Sequence, residues 1–368
     1  MALSTIQNNS FADTAVHGFR NLVTNGAMTV AQRSSSVSGI TSSSYPTIDR
    51  WKFEIGNMGT WTASQEASGP SGFSNSAKIL CTTADASPAA TDEVKYSQFI
   101  EAQNLQQLAY GTSDAKQMTL SFWVKSNKTG TFIVWFYQDD DGRQLTTSYT
   151  IDVADTWEYK TILVASDTTG VIDNNSGAGL RVSFVLGAGS SYTSGTAATT
   201  WEALVDANRY VGQTVNLADA TSNYWQITGV QLEVAAEGES TPFEHRSYGD
   251  ELQRCLRYFE KLGGSGATAN YAAFGIGYVS VGTGDYGAAY VSVQPKRATP
   301  TVSTTGTVQY VSPSTNGSFT LLGDAYIDAS GTGYINLYPL SPTGTFAQPL
   351  LIRANNDATA GLLFDAEL

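Results

Sequence analysis

The sequence predicts a mainly β protein: a jelly-roll β-sandwich, one connecting amphipathic helix, and then a second, smaller β-sandwich domain. Three observations support this fold class. The chain has 35 glycines, 19 tyrosines and 7 tryptophans but only 14% charged residues, which is typical of short strands joined by Gly-rich turns. Its middle alternates apolar and polar residues. Its 368 residues are enough for two domains with separate cores.

These patterns divide the chain into four segments. Residues 1–20 are polar, and we expect them to form an N-terminal attachment arm that becomes ordered against a partner. Residues 21–247 carry the jelly roll. Residues 248–266 hold the connecting helix and a Gly-rich linker, and residues 267–368 form the C-terminal β domain.

The strands of the jelly roll are predicted from alternation, in chain order. Residues 21–33 indicate a first strand, interrupted by Asn25-Gly26, and residues 45–53 indicate a second. Short strands separated by turns of this kind are typical of a sandwich or jelly roll. The remaining strands are expected at residues 118–125, 132–137, 145–151, 157–164, 180–186 and 225–234.

The last of these strands changes phase at Gly229. Trp225 and Ile227 share one face, and the apolar positions resume at Val230 rather than at the next alternate residue. A β-bulge at Gly229 reconciles the two registers, because a bulge inserts one extra residue into a strand.

An amphipathic helix is predicted directly after this strand and a polar turn. Its apolar residues recur at steps of three and four, and Ser247 is placed to cap its first turn. We expect Gly263 and Gly264 to end it. The predicted apolar face consists of Leu252, Cys255, Leu256, Phe259 and Leu262.

Charge and cysteine usage exclude several classes of function. The formal net charge of −13 argues against binding to nucleic acid or to anionic membrane surfaces. Cys255 falls on the apolar helix face, so a buried free thiol is favoured over a bridge to Cys81. The N-terminus has no basic region followed by an apolar run, and no stretch approaches ~18 apolar residues. We therefore expect no signal peptide and no membrane insertion.

Catalytic and metal-binding motifs are absent from the sequence. The two histidines, His17 and His245, lie in no metal-ligand spacing, and no nucleophile or phosphate-loop motif is present. We predict no cofactor, no metal and no enzymatic activity. Asp139, Asp140 and Asp141 are consecutive carboxylates that suit Ca²⁺, but Asp-Gly is also a common hairpin turn, which we favour. A pair of carboxylates for glycoside hydrolysis stays open, because nothing singles out two residues.

Aromatic residues on β faces are the candidate glycan contacts, because sugars present apolar C–H faces to aromatic rings. Trp123 is out of phase with its apolar neighbours, so we place it on an outer face. Trp135 and Tyr137 share one face, and we expect Tyr149 near them across the turn. The alternative is that both faces are covered, by a second sheet and by a neighbouring subunit.

Eight motifs follow one another along the chain: NLVTNGAMTVAQR, YPTIDRWKF, MTLSFWVKS, TWEYKTI, WQITGVQLEV, STPFEHRSYGDELQRCLRYFEKL, KRATPTV and FDAEL. As an ordered set they resemble a recurrent bacteriophage virion module found in tail fibres and related structural proteins. The resemblance covers residues 20–262 well, and the C-terminal part only through the last two motifs.

The resemblance implies a jelly roll similar to carbohydrate-binding modules, carried by a homotrimeric fibre that contacts host surface glycans. It implies a location on the tail or capsid surface of a virion, after synthesis in the host cytoplasm. Only about 20 residues precede the module, so we expect attachment to other virion proteins through the short arm. A capsid decoration or head-fibre protein without a receptor role, and a glycan-degrading tailspike, stay open as alternatives.

Overall fold

A computed structural model describes residues 20–234, 240–263, 271–279, 287–313, 316–321, 326–338 and 349–368. The predicted arm therefore lies outside the described residues except for Arg20, and the linker residues 264–266 lie outside them as well. The chain divides into two compact units, Met1–Glu251 with Leu368, and Leu252–Glu367. Among the described residues, no helix is both long and apolar enough to cross a membrane.

The first unit is a two-sheet antiparallel sandwich, which confirms the predicted fold class. One sheet, here the first sheet, has the order β1-β3-β4-β12-β6-β9, and the second sheet has the order β11-β8-β7-β10-β5-β2. Its strands are β1 (Ser36–Ile40), β2 (Trp51–Gly56), β3 (Thr60–Glu66), β4 (Ser76–Thr83), β5 (Glu93–Glu101), β6 (Met118–Ser126), β7 (Gly130–Gln138), β8 (Arg143–Ile151), β9 (Glu158–Val164), β10 (Ala178–Ala188), β11 (Glu202–Ala203) and β12 (Tyr224–Val234).

Aromatic rings fill the core between these two sheets. The ring of Trp51 stacks on that of Tyr96 with centroids 5.2 Å apart, and Trp225 lies 5.6 Å from Phe184. All four side chains are buried. Large rings in contact contribute strongly to folding because each removes a large apolar area from water.

The second unit also contains two sheets. Helix α1 (Tyr248–Leu256) lies across the boundary between the units in sequence. A three-stranded sheet, β13-β23-β16, shares an apolar core with a larger sheet of order β18-β17-β22-β14-β15-β21-β19, where β20 also pairs with β21. The strands are β13 (Phe259–Gly263), β14 (Ala273–Val279), β15 (Gly287–Ser292), β16 (Thr301–Thr305), β17 (Val308–Val311), β18 (Asn316–Gly317), β19 (Thr320–Leu321), β20 (Tyr326–Ile327), β21 (Thr332–Tyr338), β22 (Pro349–Ala354) and β23 (Gly361–Asp365).

The structure corrects the prediction for the first two strands. Residues 21–33 form an irregular loop and not a strand, and the second predicted strand begins only at Trp51. The first difference arises because asparagine side chains bond the backbone of this loop. The second arises because Arg50 has a φ of 74°, a left-handed conformation that a strand excludes.

Two buried asparagines hold this irregular loop in place. The Asn21 side chain accepts hydrogen bonds from the amides of Val23 and Leu232, both at 3.0 Å, and donates to the Val230 carbonyl at 3.0 Å. Asn25 bonds four backbone groups in the same way. Side chains thus satisfy backbone groups that a sheet ladder would otherwise pair.

The segment before the helix, near the C-terminal end of the first unit, also bonds the loop of residues 21–33. The Glu244 carboxylate accepts from the Asn21 amide at 2.7 Å. Arg246 donates to the carbonyls of Asn21 and Val23, at 2.7 and 3.2 Å. The two ends of the first unit are therefore joined by buried, charge-assisted hydrogen bonds.

Two predicted features around α1 are confirmed and one is wrong. The bulge at Gly229 is present, with a register shift between Thr228 and Gln231. Ser247 caps the helix, since its hydroxyl accepts from the Asp250 amide at 3.2 Å. The helix, however, ends at Leu256, so the prediction that it reaches 262 is wrong.

The reason for the early end is tertiary pairing. Phe259 and the four residues after it form β13, which hydrogen-bonds along β23 and buries Phe259. The three- and four-residue spacing of apolar side chains thus fits a short helix followed by a strand.

Cys81 and Cys255 are both buried free thiols, as predicted for Cys255.

Candidate functional site

A cleft of about 410 Å³ opens on the outer face of the first sheet, and we name it the aromatic cleft. Volumes of this order are typical of small-ligand sites. Its lining is dominated by rings and hydroxyl groups: Trp123, Tyr159, Phe73, Phe243, His245 and Ser121.

The floor of the cleft comes from strand alternation. On β6 the side chains of Phe122 and Val124 point into the core, so Ser121 and Trp123 point outward. Trp123 pairs in register with Tyr159 on β9, and the two rings lie 5.2 Å apart with an interplanar angle of 50°. Trp123 is partly exposed and Tyr159 is 43% exposed, so both rings reach solvent.

One wall of the cleft rests on the bulge in β12. Gly229 has a φ of 63°, and a Cβ added there would lie 2.7 Å from Cζ of Phe73. Phe73 is placed by the preceding turn, in which its amide donates to the Pro70 carbonyl at 3.0 Å and Gly72 has a φ of 93°. That geometry requires a glycine at the third turn position. The glycine of the bulge therefore makes room for the ring.

The rest of this wall is held by two buried side chains that follow the bulge, Gln231 and Glu233. Glu233 accepts from the Thr241 amide at 2.9 Å and from its hydroxyl at 2.6 Å. Gln231 accepts from the Glu244 amide at 2.8 Å. These bonds fix the segment that presents Phe243 and the residue two positions later, His245.

The rings of this wall pack on one another. Phe73 lies 5.0 Å from Phe243 and 5.2 Å from His245, with centroid separations that suit edge and tilted contacts. Phe243 and His245 are themselves 4.9 Å apart. The wall is thus a preformed aromatic cluster that needs little rearrangement to receive a ligand.

Replacing Gly229 with alanine tests how the cleft is built. We expect a loss of about 1–3 kcal/mol in the free energy of unfolding, from left-handed strain and from the clash with Phe73. Gly39→Ala is the matched control, because Gly39 has a φ of 70° but nothing within 4 Å of an added Cβ. Denaturant unfolding of both variants separates strain from clash. Equal losses would show that Phe73 does not pack on Gly229.

The described lining of the aromatic cleft consists of rings, hydroxyls and small residues. Among the described lining residues none carries a carboxylate, whereas glycoside hydrolysis ordinarily uses two. Ring faces and hydroxyls instead match ligands with alternating apolar and polar surfaces.

Sequence reasoning identified Trp123 but missed Phe73, Tyr159 and Phe243. The alternation through Tyr159 was a usable signal, while the two phenylalanines come from turns.

Trp135 and Tyr137 lie together on the outer face of the second sheet, as their spacing predicts. Their rings stack with centroids 5.1 Å apart and an interplanar angle of 19°. Trp135 is nevertheless only 3% exposed, because Arg209 lies over its ring at 5.3 Å and Tyr210 packs at 5.9 Å. Tyr137 therefore offers the accessible surface of this pair, and it is partly exposed.

The prediction that Tyr149 joins this pair is wrong. Tyr149 is 5% exposed and lies in the core, stacked on Phe132 at 5.5 Å. Its hydroxyl accepts from the Trp225 indole at 2.9 Å. The reason is register: the four-residue turn pairs Tyr149 with Phe132, whereas Trp135 pairs with Thr146, so the aromatic residues fall on opposite faces.

The acidic turn after β7 is occupied by contacts within the protein. The Asp139 carboxylate forms a bidentate ion pair with Arg181, and Asp140 accepts from the Asp173 amide at 3.0 Å. No group of three potential ligands that suits a metal ion occurs among the described residues. Two of the three carboxylates of the turn, those of Asp139 and Asp140, therefore already have partners within the protein.

Comparisons with known proteins give weak likenesses only. No protein-family model and no curated protein sequence matches the chain. The enzymatically active domain of bacteriophage CBA120 tailspike protein 4 aligns with a TM-score of 0.30 at 14% identity, over 60% of this chain and 22% of that one.

Carbohydrate-binding modules align at a similar level. A family 4 module gives a TM-score of 0.29 at 14% identity, over 57% of this chain and 98% of the module. A Clostridium thermocellum family 11 module, solved with a β-1,3-1,4-mixed-linked tetrasaccharide, gives 0.29 at 12% identity over 51% and 91%. Scores this low carry no argument about function.

Proposed function

We propose that this protein is a non-enzymatic phage virion protein of the tail-fibre or receptor-binding kind, which contacts host surface glycans through the aromatic cleft. The observation that carries the proposal is the floor of that cleft. Two adjoining rings, Trp123 and Tyr159, reach solvent in a cavity whose described lining residues offer hydroxyls and no carboxylate. Sugar rings stack on such aromatic faces and use their hydroxyls at the rim.

The virion part of the proposal is supported by the ordered motif set in the sequence. Two of those motifs hold each other in place, since Asn21 of the first bonds Glu244 and Arg246 of the sixth. We propose that the protein forms a homotrimer and attaches through residues 1–20 to the tail or the capsid surface. Immunogold labelling of intact virions tests this location. Label that is absent from particles would contradict it.

Trp123→Ala is expected to weaken glycan binding by at least about 30-fold, which corresponds to ~2 kcal/mol for loss of a central aromatic contact. A glycan array identifies the ligand, and titration calorimetry of that glycan then gives the dissociation constants. Trp157→Ala is the control, because Trp157 is also partly exposed but does not line the cleft.

Three outcomes of that experiment would count against the proposal. Equal glycan binding by Trp123→Ala and Trp157→Ala would show that the aromatic cleft does not bind the glycan. Absence of binding to any glycan would favour a capsid protein without a receptor role. Release of reducing sugar from a bound polysaccharide would contradict the non-enzymatic assignment and favour a tailspike.

A further inference from the structure

Ser121 lies on the floor of the aromatic cleft, and its hydroxyl has no hydrogen-bond partner among the described residues. The residue is only 2% exposed. Its two cross-strand neighbours are Gln231 and Thr161, and both side chains are engaged elsewhere. Gln231 accepts from the Glu244 amide at 2.8 Å, and the Thr161 hydroxyl lies 3.4 Å from that of Ser240. The Ser121 hydroxyl is therefore a polar group that stays available to a ligand.

A second hydroxyl without a partner lies beside the floor of the cleft. Thr228 pairs in register with Trp123, so its side chain lies on the same face of the first sheet. It is fully buried, and its Oγ1 has no partner among the described residues. The large majority of buried polar side-chain atoms in native proteins are hydrogen-bonded. Two unbonded hydroxyls at one cleft therefore indicate a polar ligand rather than a role in folding.

The described lining of the cleft contains no lysine, arginine, aspartate or glutamate. An anionic sugar would lose part of its hydration between the rings and find no cation there to pair with its charge. The formal net charge of −13 adds to this cost, because it repels anions from the protein as a whole. The lining therefore favours a ligand without charge.

Two cations near the cleft are engaged outside its lining. Arg20 donates to the Thr241 hydroxyl at 2.6 Å and to the Pro242 carbonyl at 3.1 Å. The same hydroxyl donates to the Glu233 carboxylate at 2.6 Å, so the charge of Arg20 has a counter-charge behind the wall. Lys125 has its ammonium over a tryptophan ring that does not line the cleft, 5.0 Å from the ring centroid. Neither cation is placed to pair with an anion in the cleft.

The ring of Tyr159 is held in a position that leaves it open to a ligand. Its hydroxyl donates to Ser240 Oγ at 2.9 Å, while the side chain stays 43% exposed. The phenolic oxygen can still accept a hydrogen bond. The cleft thus combines fixed ring faces with a few hydroxyl groups, as binding sites that orient a ligand commonly do. An uncharged saccharide presents the matching surfaces, since it has apolar C–H faces and hydroxyl groups.

We propose that the aromatic cleft takes an uncharged saccharide and that Ser121 hydrogen-bonds one of its hydroxyl groups. The inference rests on the proposed function and deepens it, because it names the class of glycan and a residue that orients it. An acidic sugar can stack on the same rings, but its carboxylate gains no counter-charge from the described lining. The uncharged lining therefore discriminates between the two classes.

A glycan array with matched pairs tests the class of ligand. The two members of a pair share linkage and length, and one carries a carboxylate in place of a hydroxymethyl group. Titration calorimetry of the best-bound pair is expected to show at least about 10-fold tighter binding of the uncharged member. Measurements at pH 8 exclude a contribution from protonated histidine. Repeating them with Trp123→Ala shows that the binding measured occurs in the cleft.

Ser121→Ala tests the hydrogen bond at the floor. We expect the variant to bind the uncharged saccharide about 3–10-fold more weakly, which is the usual contribution of one hydrogen bond. Its free energy of unfolding is expected to be unchanged, because the hydroxyl has no partner among the described residues. Ser148→Ala is the matched control, since Ser148 is an exposed serine on β8 of the second sheet. Glycan affinity of this control is expected to equal that of the unsubstituted protein.

The outcomes separate this inference from the function on which it rests. Equal or tighter binding of the acidic member, when it is lost in Trp123→Ala, would overturn the inference and leave the proposed function standing. Unchanged affinity of Ser121→Ala, or a lower free energy of unfolding that reveals an internal partner, would overturn the role of Ser121. Absence of binding to every glycan of the array would contradict the proposed function and the inference together.

Discussion

Asn25→Ala is expected to lower the free energy of unfolding by about 3–5 kcal/mol, because several buried backbone groups lose their partner at once. The Asn25 amide donates to the carbonyls of Val30 and Asp49, at 2.8 and 3.0 Å. Its carbonyl oxygen accepts from the amides of Thr29 and Val30, both at 3.0 Å. Denaturant unfolding followed by tryptophan fluorescence measures the loss.

Backbone strain must be separated from these bonds, since Asn25 has a φ of 58°. Asn57→Ala is the matched control, because Asn57 has a φ of 57° but is exposed. We expect it to cost only the strain of a left-handed alanine, about 1–2 kcal/mol. Indistinguishable losses in the two variants would mean that the four bonds add nothing to stability.

Asp167→Ala is expected to cost about 3–5 kcal/mol, because it leaves a largely buried guanidinium without its carboxylate. Asp167 is 3% exposed and accepts from Arg143 Nε at 2.6 Å and from Gln138 at 2.9 Å. Asp152→Ala is the control: Asp152 is 68% exposed in its ion pair with Lys160, and its loss should cost under about 1 kcal/mol. Similar losses at both sites would contradict the argument.

The same carboxylate gives a pH dependence whose sign follows from its surroundings. Burial alone raises the pKa of Asp167, but hydrogen bonds from Arg143 and from backbone amides outweigh it and lower the pKa below the usual range. The stabilisation is therefore present above the unfolded-state pKa of about 3.9 and is lost as pH falls through the lower folded-state value. Unfolding between pH 5 and pH 2 should show this loss, reduced in Asp167→Ala.

Local patterns in the sequence were sufficient for six strands of the sandwich, β6 to β10 and β12, and for the bulge, whereas β1, β3, β4, β5 and β11 were not predicted. Alternation in β6 and β7 places each side chain on a known face, and a phase change has few explanations other than a bulge. The same reasoning failed for residues 21–33. Their conformation depends on bonds from Asn21 to residues more than 200 positions away, which no local pattern reports.

The aromatic cleft was only partly predictable for a similar reason. Trp123 follows from alternation within one strand, but Phe73 and Phe243 reach the cleft from separate turns. Tyr149 shows the other limit, because counting across a hairpin assigns the wrong face unless the turn length fixes the register. The face on which a strand residue lies can be predicted from its neighbours in sequence. The convergence of residues from separate turns into one site cannot.

The hydrogen bond between the Asn21 amide and the Glu244 carboxylate can form only late in the synthesis of the chain. The two residues are 223 positions apart, so at about 5–20 residues per second the ribosome releases Asn21 roughly 10–45 s before its partner exists. During that interval the early strands of the first unit have unpaired backbone groups at their edges. Such edges can pair with the wrong strand. Closure of this unit is therefore a late step, which cannot occur before Glu244 has been synthesised.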